Sequence, residues 1–170
     1  LYFKEIGLKL HDTMIYLKDS CPFPETNRYY PSFEYMFVFS KGAPKTTNLI
    51  ADKKNKKSGD LIGTSTQREK DGTTRPISAN KKDPERKVKD FSVRTNVWLY
   101  SAGFGKTTND KSAYEHPAMF PESLAKDHII SWSNEGDLVL DPFNGSGTTT
   151  KCAKYLKRDF VGIDISERYC

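Results

Sequence analysis

Apolar positions in this chain gather into two blocks on either side of a long polar stretch. In the first block Phe3, Ile6 and Leu10 recur at helical spacing, which predicts the end of an amphipathic helix over residues 1–10. Met14, Ile15, Tyr16 and Leu17 form an unbroken apolar run, so residues 13–18 are expected to be a buried strand. Pro22, Pro24 and Pro31 around Asn27 and Arg28 mark a turn-rich stretch. Phe33 to Phe39 is dense in aromatic residues and predicts a second strand. From Gly42 to Asp90 there is no aromatic residue, and Lys, Asp, Thr, Asn and Gly dominate. Such a segment holds too little apolar surface to offset the entropy of ordering. A long mobile insertion is expected there, with at most a weak turn of structure near Leu61 or Ile77.

The second block opens at Val93–Tyr100, where Val97, Trp98 and Leu99 predict a short strand or docked segment. Trp98 reads as a core residue, with stacking on a displaced base as the alternative. A helix is predicted from Pro121 to about Ser133, with Leu124, His128 and Trp132 on one stripe and Ala125 and Ile129 beside it. Pro121 suits its first turn and Gly136 its stop. His128 is then a helix-face residue without a catalytic role, and His116 precedes a Pro-Ala-Met-Phe-Pro turn whose geometry it can fix. Leu138, Val139 and Leu140 lack alternation, the pattern of a strand covered on both faces. No internal repeat is visible.

The chemistry concentrates after that strand, which should end at Asp141. Gly145 and Gly147 let the backbone turn tightly and come close to a ligand. Ser146 and Thr148 can cap a following helix whose free N–H groups attract an anionic group. Thr149, Cys152, Ala153 and Leu156 fall at i, i+3, i+4 and i+7 of that helix. A second strand, Phe160 to Ile163, ends at Asp164, 19 residues after Gly145. This spacing is close to that of the acid that takes ribose hydroxyls in nucleotide-binding βαβ units. The pattern predicts an α/β fold with a nucleoside-containing cofactor. The helix does not open with Gly-Lys-Thr, which argues against a triphosphate, and the third glycine of the dinucleotide fingerprint is missing.

Asp141-Pro142-Phe143-Asn144-Gly145-Ser146-Gly147-Thr148-Thr149 resembles the S-adenosylmethionine loop of the DNA methyltransferases that modify adenine N6 or cytosine N4. His116 to Leu124 is similar to the family segment that closes over the methionine end of the cofactor. Val161 to Tyr169 is similar to its ribose-binding strand end, where relatives often carry Glu at the position of Asp164. Phe33 to Lys41 resembles a hairpin strand beside the target-base pocket. The likeness covers residues 116–170 closely and 1–42 loosely. It implies a Rossmann-like class I methyltransferase fold of the permuted branch, in which the cofactor loop comes late. Asp141, Phe143, Asn144, Gly145, Ser146, Gly147 and Thr148 would then form the cofactor loop, Asp164 would hold the ribose, and Pro117, Phe120 and Pro121 would wall the methionine end.

One family feature is missing. The catalytic tetrapeptide, an acidic residue, Ser or Asn followed by Pro-Pro and an aromatic, occurs nowhere in the 170 residues. The expectation is a fragment whose catalytic strand precedes Leu1, with a non-catalytic remnant that binds DNA and cofactor as the alternative. No catalytic residue is assigned. Three regions follow: 1–42 from the catalytic half of the sheet, 43–92 as the basic insertion, and 93–170 as the cofactor-binding half. A dinucleotide-dependent oxidoreductase and a methyltransferase acting on RNA are further alternatives.

Charge sharpens the partner. Net charge is +5, yet residues 41–115 hold 17 Lys or Arg against 9 Asp or Glu, so the remainder is acidic. A basic central segment is what contact with DNA phosphates needs, and Lys53, Lys54, Lys56, Lys57, Arg68 and Arg75 are the candidates. The bland reading is a solvated loop. Double-stranded DNA is the expected partner, and a cognate restriction endonuclease is a candidate second one. Cys21, Cys152 and Cys170 show no paired spacing, so no metal site is expected. With no apolar run of membrane length and no visible export signal, a cytoplasmic protein is expected.

Overall fold

The computed structural model describes residues 2–19, 26–62, 66–76, 85–101, 107 and 120–167. In chain order the first elements are α1 (Tyr2–Glu5), β1 (Lys9–Lys18), β2 (Phe33–Ser40), β3 (Lys53–Lys54), β4 (Thr66–Arg68), β5 (Thr74–Pro76) and β6 (Phe91–Ser92). There follow β7 (Val97–Tyr100), α2 (Glu122–Trp132), β8 (Leu138–Asp141), α3 (Thr148–Tyr155) and β9 (Asp159–Gly162). They fall into two units, one formed by Leu1–Ile50 with Thr95–Cys170 and the other by Ala51–Arg94.

In the first unit β1 pairs antiparallel with β2 and parallel with β7, giving the order β2-β1-β7. Alternation along β1 buries Met14 and Tyr16, which meet Trp98 of β7 and Leu124 of α2 in one cluster. Beyond α2, β8, α3 and β9 form a parallel βαβ unit, in register from Leu138 opposite Asp159 to Asp141 opposite Gly162. Ala125 and Ile129 of α2 pack there against Cys152 and Ala153 of α3. The helix is therefore a two-sided wedge. Its Leu124–His128–Trp132 stripe meets the three-stranded sheet, and the neighbouring Ala125–Ile129 stripe meets α3.

Two expectations about these elements change. The helix over residues 1–10 stops at Glu5, because Gly7 takes φ 91° and closes a Schellman turn in which Leu8 N–H reaches Phe3 O at 2.9 Å and Gly7 N–H reaches Lys4 O at 3.0 Å. Leu10 then belongs to β1. The strand at 138–141 is not covered on both faces among the described residues. Val139 packs inward, while Leu138 and Leu140 are 66% and 56% exposed. The same bare side recurs on β2, where Phe33, Tyr35 and Phe37 are exposed and touch one another edge to face or stacked.

The second unit holds short paired strands where composition suggested a mobile insertion with at most a weak turn near Leu61 or Ile77. β3 pairs with β6, β4 with β5, and Leu61 bridges to Lys87. Backbone groups do this work in place of a core: Asn55 N–H donates to Asp90 O and Val88 N–H to Asp60 O, both at 2.8 Å. Ile77 lies outside the described residues. Among the described residues no helix is long and apolar enough to cross a membrane, and no cluster of His, Cys, Asp or Glu could hold a metal ion.

Candidate functional site

Two turns meet at the ends of the parallel strands β8 and β9. After β8 the Asp141 carboxylate accepts the Phe143 N–H at 3.0 Å, a local turn that lifts the chain off the strand. The strand pairing continues into the loop: Ile163 N–H donates to Asp141 O, and Asn144 N–H donates to Ile163 O, both at 2.8 Å. Gly145 and Gly147 then take φ of 48° and 77°, the left-handed region that glycine adopts without strain. Gly147 is the N-cap of α3, and Lys151 N–H donates to its carbonyl at 2.9 Å.

Asp164 closes this arrangement from the other strand. Its Oδ2 accepts the Gly145 N–H at 2.7 Å and its Oδ1 accepts the Ser166 N–H at 2.9 Å. The acid and the glycine turn, 19 residues apart, are thus hydrogen-bonded neighbours. Both carboxylate oxygens are thus engaged by backbone donors of the two turns.

The hydroxyls behave differently from the expected caps. Gly147 caps α3 without a side-chain bond, and Ser146 and Thr148 share a hydrogen bond with each other at 3.1 Å. Thr150, which the sequence did not single out, donates to Asn144 Oδ1 at 3.0 Å. Phe143 is 87% exposed beside the loop.

The start of α2 lies against the same helix. Glu122 pairs with Lys151 at 2.9 Å, and its carbonyl lies 3.6 Å from Cys152 Sγ. Pro121, buried as the N-cap of α2, and the half-exposed Phe120 are therefore brought beside α3. Pro117 and His116 lie outside the described residues. Burial, and then the Glu122 carboxylate, push the Cys152 thiol above its ordinary range, which makes it a packing residue and not a nucleophile. His128 is packed on Trp98 and Met36, and burial holds its pKa below the usual value.

The basic candidates lie in the second unit. Lys53 and Lys54 form β3, Lys56 and Lys57 occupy the turn after it, and Arg68 ends β4, all exposed. Arg75 differs, since it is ion-paired with Glu69 across the β4–β5 hairpin.

With this geometry in place, comparison with known proteins gives the family. Residues 1–170 match the N6/N4 methyltransferase family described as DNA methylase. The chain belongs to that family. The match takes in the segments before residue 116, where the loop motifs alone say little.

The chain is 54% identical over 171 residues to the orphan methyltransferase M.BamHII of Bacillus amyloliquefaciens, covering 100% of the chain and 63% of that protein. It is 39% identical over 101 residues to the DNA adenine methyltransferase YhdJ of Escherichia coli K12, covering 59% of the chain and 33% of that protein. The chain thus spans less than two thirds of the length of these relatives. Among solved structures it resembles PvuII DNA methyltransferase, described as cytosine-N4-specific, with a TM-score of 0.62 at 18% identity over 98% of this chain and 50% of that one. The M1.HpyAVI–SAM complex matches with a TM-score of 0.59 at 20% identity, over 99% of this chain and 61% of that one. At such identities the likeness speaks for the fold, an α/β methyltransferase fold.

Proposed function

We propose that this chain is the cofactor-holding part of a DNA methyltransferase that acts on the exocyclic amino group of adenine or cytosine. The observation that carries the reading is the bond from Gly145 N–H to Asp164 Oδ2, a carboxylate beside a glycine turn at a helix start, which is the arrangement a ribose-holding acid would need. Family membership and a structural relative described as a SAM complex support S-adenosylmethionine as the ligand. In the permuted arrangement we infer, the loop after β8 follows the β1–β2 half in sequence.

S-adenosylmethionine supplies an electrophilic methyl group on a sulfonium. The residues of this chain bind and orient. Asp164 would take the ribose hydroxyls, the backbone of Gly145 to Gly147 would shape the turn under the nucleoside, and Phe143 would lie along its exposed side. Pro117, Phe120 and Pro121 would wall the methionine end. Holding the methyl in line with the amine converts a bimolecular reaction into an oriented one, the main source of rate when no covalent intermediate forms. The target base must leave the duplex stack to reach the methyl. Lys53, Lys54, Lys56, Lys57 and Arg68 would meet phosphates and set affinity more than sequence choice. A protein acting on cellular DNA would work in the cytoplasm, and M.BamHII, being named an orphan, gives no reason to add an endonuclease.

Titration of the full-length protein with S-adenosylmethionine tests the reading. Saturable binding displaced by S-adenosylhomocysteine and not by NADH supports it, and no binding overturns it. A second reading is a DNA- and cofactor-binding module without transfer. Labelled methyl transfer to DNA by the full-length protein separates the two.

A further inference from the structure

Gly162, at the end of β9, leaves room that a side chain would have to share with Asn144. A Cβ at Gly162 would lie 2.6 Å from Asn144 Cγ, 2.7 Å from its Oδ1 and 3.0 Å from its Nδ2. These separations are well inside van der Waals contact. Gly162 is not among the glycines with positive φ, so glycine is needed here for space and not for backbone conformation. Nor is Asn144 a loose tip that can swing away. Its Oδ1 accepts from Thr150 Oγ1 at 3.0 Å, its N–H donates to Ile163 O at 2.8 Å, and its carbonyl accepts the Gly147 N–H at 2.8 Å. One residue is thereby tied to β9, to the glycine turn and to α3.

We propose that Asn144 and Gly162 are a fitted positioning pair for the cofactor loop. The bare backbone of β9 admits the Asn144 amide, and the amide, latched to Thr150, fixes where Gly145 and Gly147 turn. The inference rests on the reading of this loop as the S-adenosylmethionine site. Asn144 acts in it as a strut beneath the loop, and Gly162 sets the depth to which the strut can sink. Neither residue needs to touch the reacting atoms.

The test is a double-mutant cycle on the full-length protein with Gly162→Ala, Asn144→Ala and the pair combined. Affinity for S-adenosylmethionine is measured well below the unfolding temperature, and the thermal midpoint is recorded for each protein. Gly162→Ala should weaken binding about tenfold or more, and the double variant should bind more tightly than Gly162→Ala although it carries one change more. Unchanged affinity in Gly162→Ala, or losses that simply multiply in the double variant, overturn the pair. If Gly162→Ala does not fold, recovery of folded protein on adding Asn144→Ala supports the proposal, and failure of both overturns it. Should the unaltered protein not bind S-adenosylmethionine, the cofactor reading falls by itself. The four thermal midpoints then still decide the pair, non-additive for it and additive against it.

Discussion

Gly145 N–H donates to Asp164 Oδ2 at 2.7 Å, joining the turn after β8 to the end of β9. Because the other oxygen takes Ser166 N–H, the Asp164 side chain organises both turns that would face a nucleoside. Asp164→Ala leaves two backbone donors without their acceptor. An unsatisfied donor costs about 1–3 kcal/mol, a loss of loop order that adds to the lost ribose contact, so cofactor affinity should fall roughly tenfold or more. Asp164→Glu should retain more binding than Asp164→Ala. Calorimetric titration of the three proteins checks this, and equal affinities would remove Asp164 from the site.

Trp98 should prove a core residue. It is 7% exposed, and its ring lies 4.9 Å from that of His128 and 6.3 Å from that of Tyr100. Trp98→Ala should destabilise by about 3–5 kcal/mol, as large aromatic-to-alanine changes in cores do. Urea unfolding measures the loss. A variant of native stability that binds DNA poorly would instead favour the base-stacking role.

His128 predicts how this core responds to acid. Burial lowers its pKa from the ordinary 6.5, against a smaller opposing pull from Asp127. The unfolded chain therefore binds a proton at a pH where the folded one does not. The stability from neutral His128 is complete above the unfolded value near 6.5 and declines as pH falls toward the depressed folded value. One proton gives a slope of up to about 1.4 kcal/mol per pH unit. Denaturant midpoints between neutral and mildly acid pH should show this decline, and His128→Leu should flatten it. An unchanged profile in His128→Leu would assign the acid sensitivity to other groups.

How much of this was legible in the sequence depended on what each signal encodes. The α2 stripes were readable because two apolar faces at helical spacing meet two partners, the β1–β2–β7 sheet and α3. Left-handed Gly145 and Gly147 were readable because few other residues tolerate their φ. Local composition misled where pairing was decided elsewhere. Leu138 and Leu140 have the composition of a doubly covered strand, yet burial depends on neighbours that composition does not name. The Ala51–Arg94 unit is ordered by backbone bonds, which leave no hydrophobic pattern. Asn144 was expected in the cofactor loop, and its close fit against Gly162 is visible only once β9 brings that glycine beside it.

Arg75 separates two kinds of basic residue in the second unit. Its guanidinium is ion-paired with Glu69, so a phosphate would have to compete for it. Lys53, Lys54, Lys56 and Lys57 are exposed along β3 and its turn, where phosphates could release their counterions against them. Each phosphate neutralised contributes about −0.9 to the slope of log affinity against log salt on duplex DNA. Replacing these four lysines with Gln should therefore make the slope shallower by an amount that counts their contacts, while Arg75→Gln should leave it close to the parent value. Fluorescence anisotropy over a salt series with one duplex reads both slopes. If the lysine variant keeps the parent slope, the run only solubilises the unit. If Arg75→Gln alone flattens it, the Glu69 pair opens on DNA and the basic surface must be redrawn around the β4–β5 hairpin.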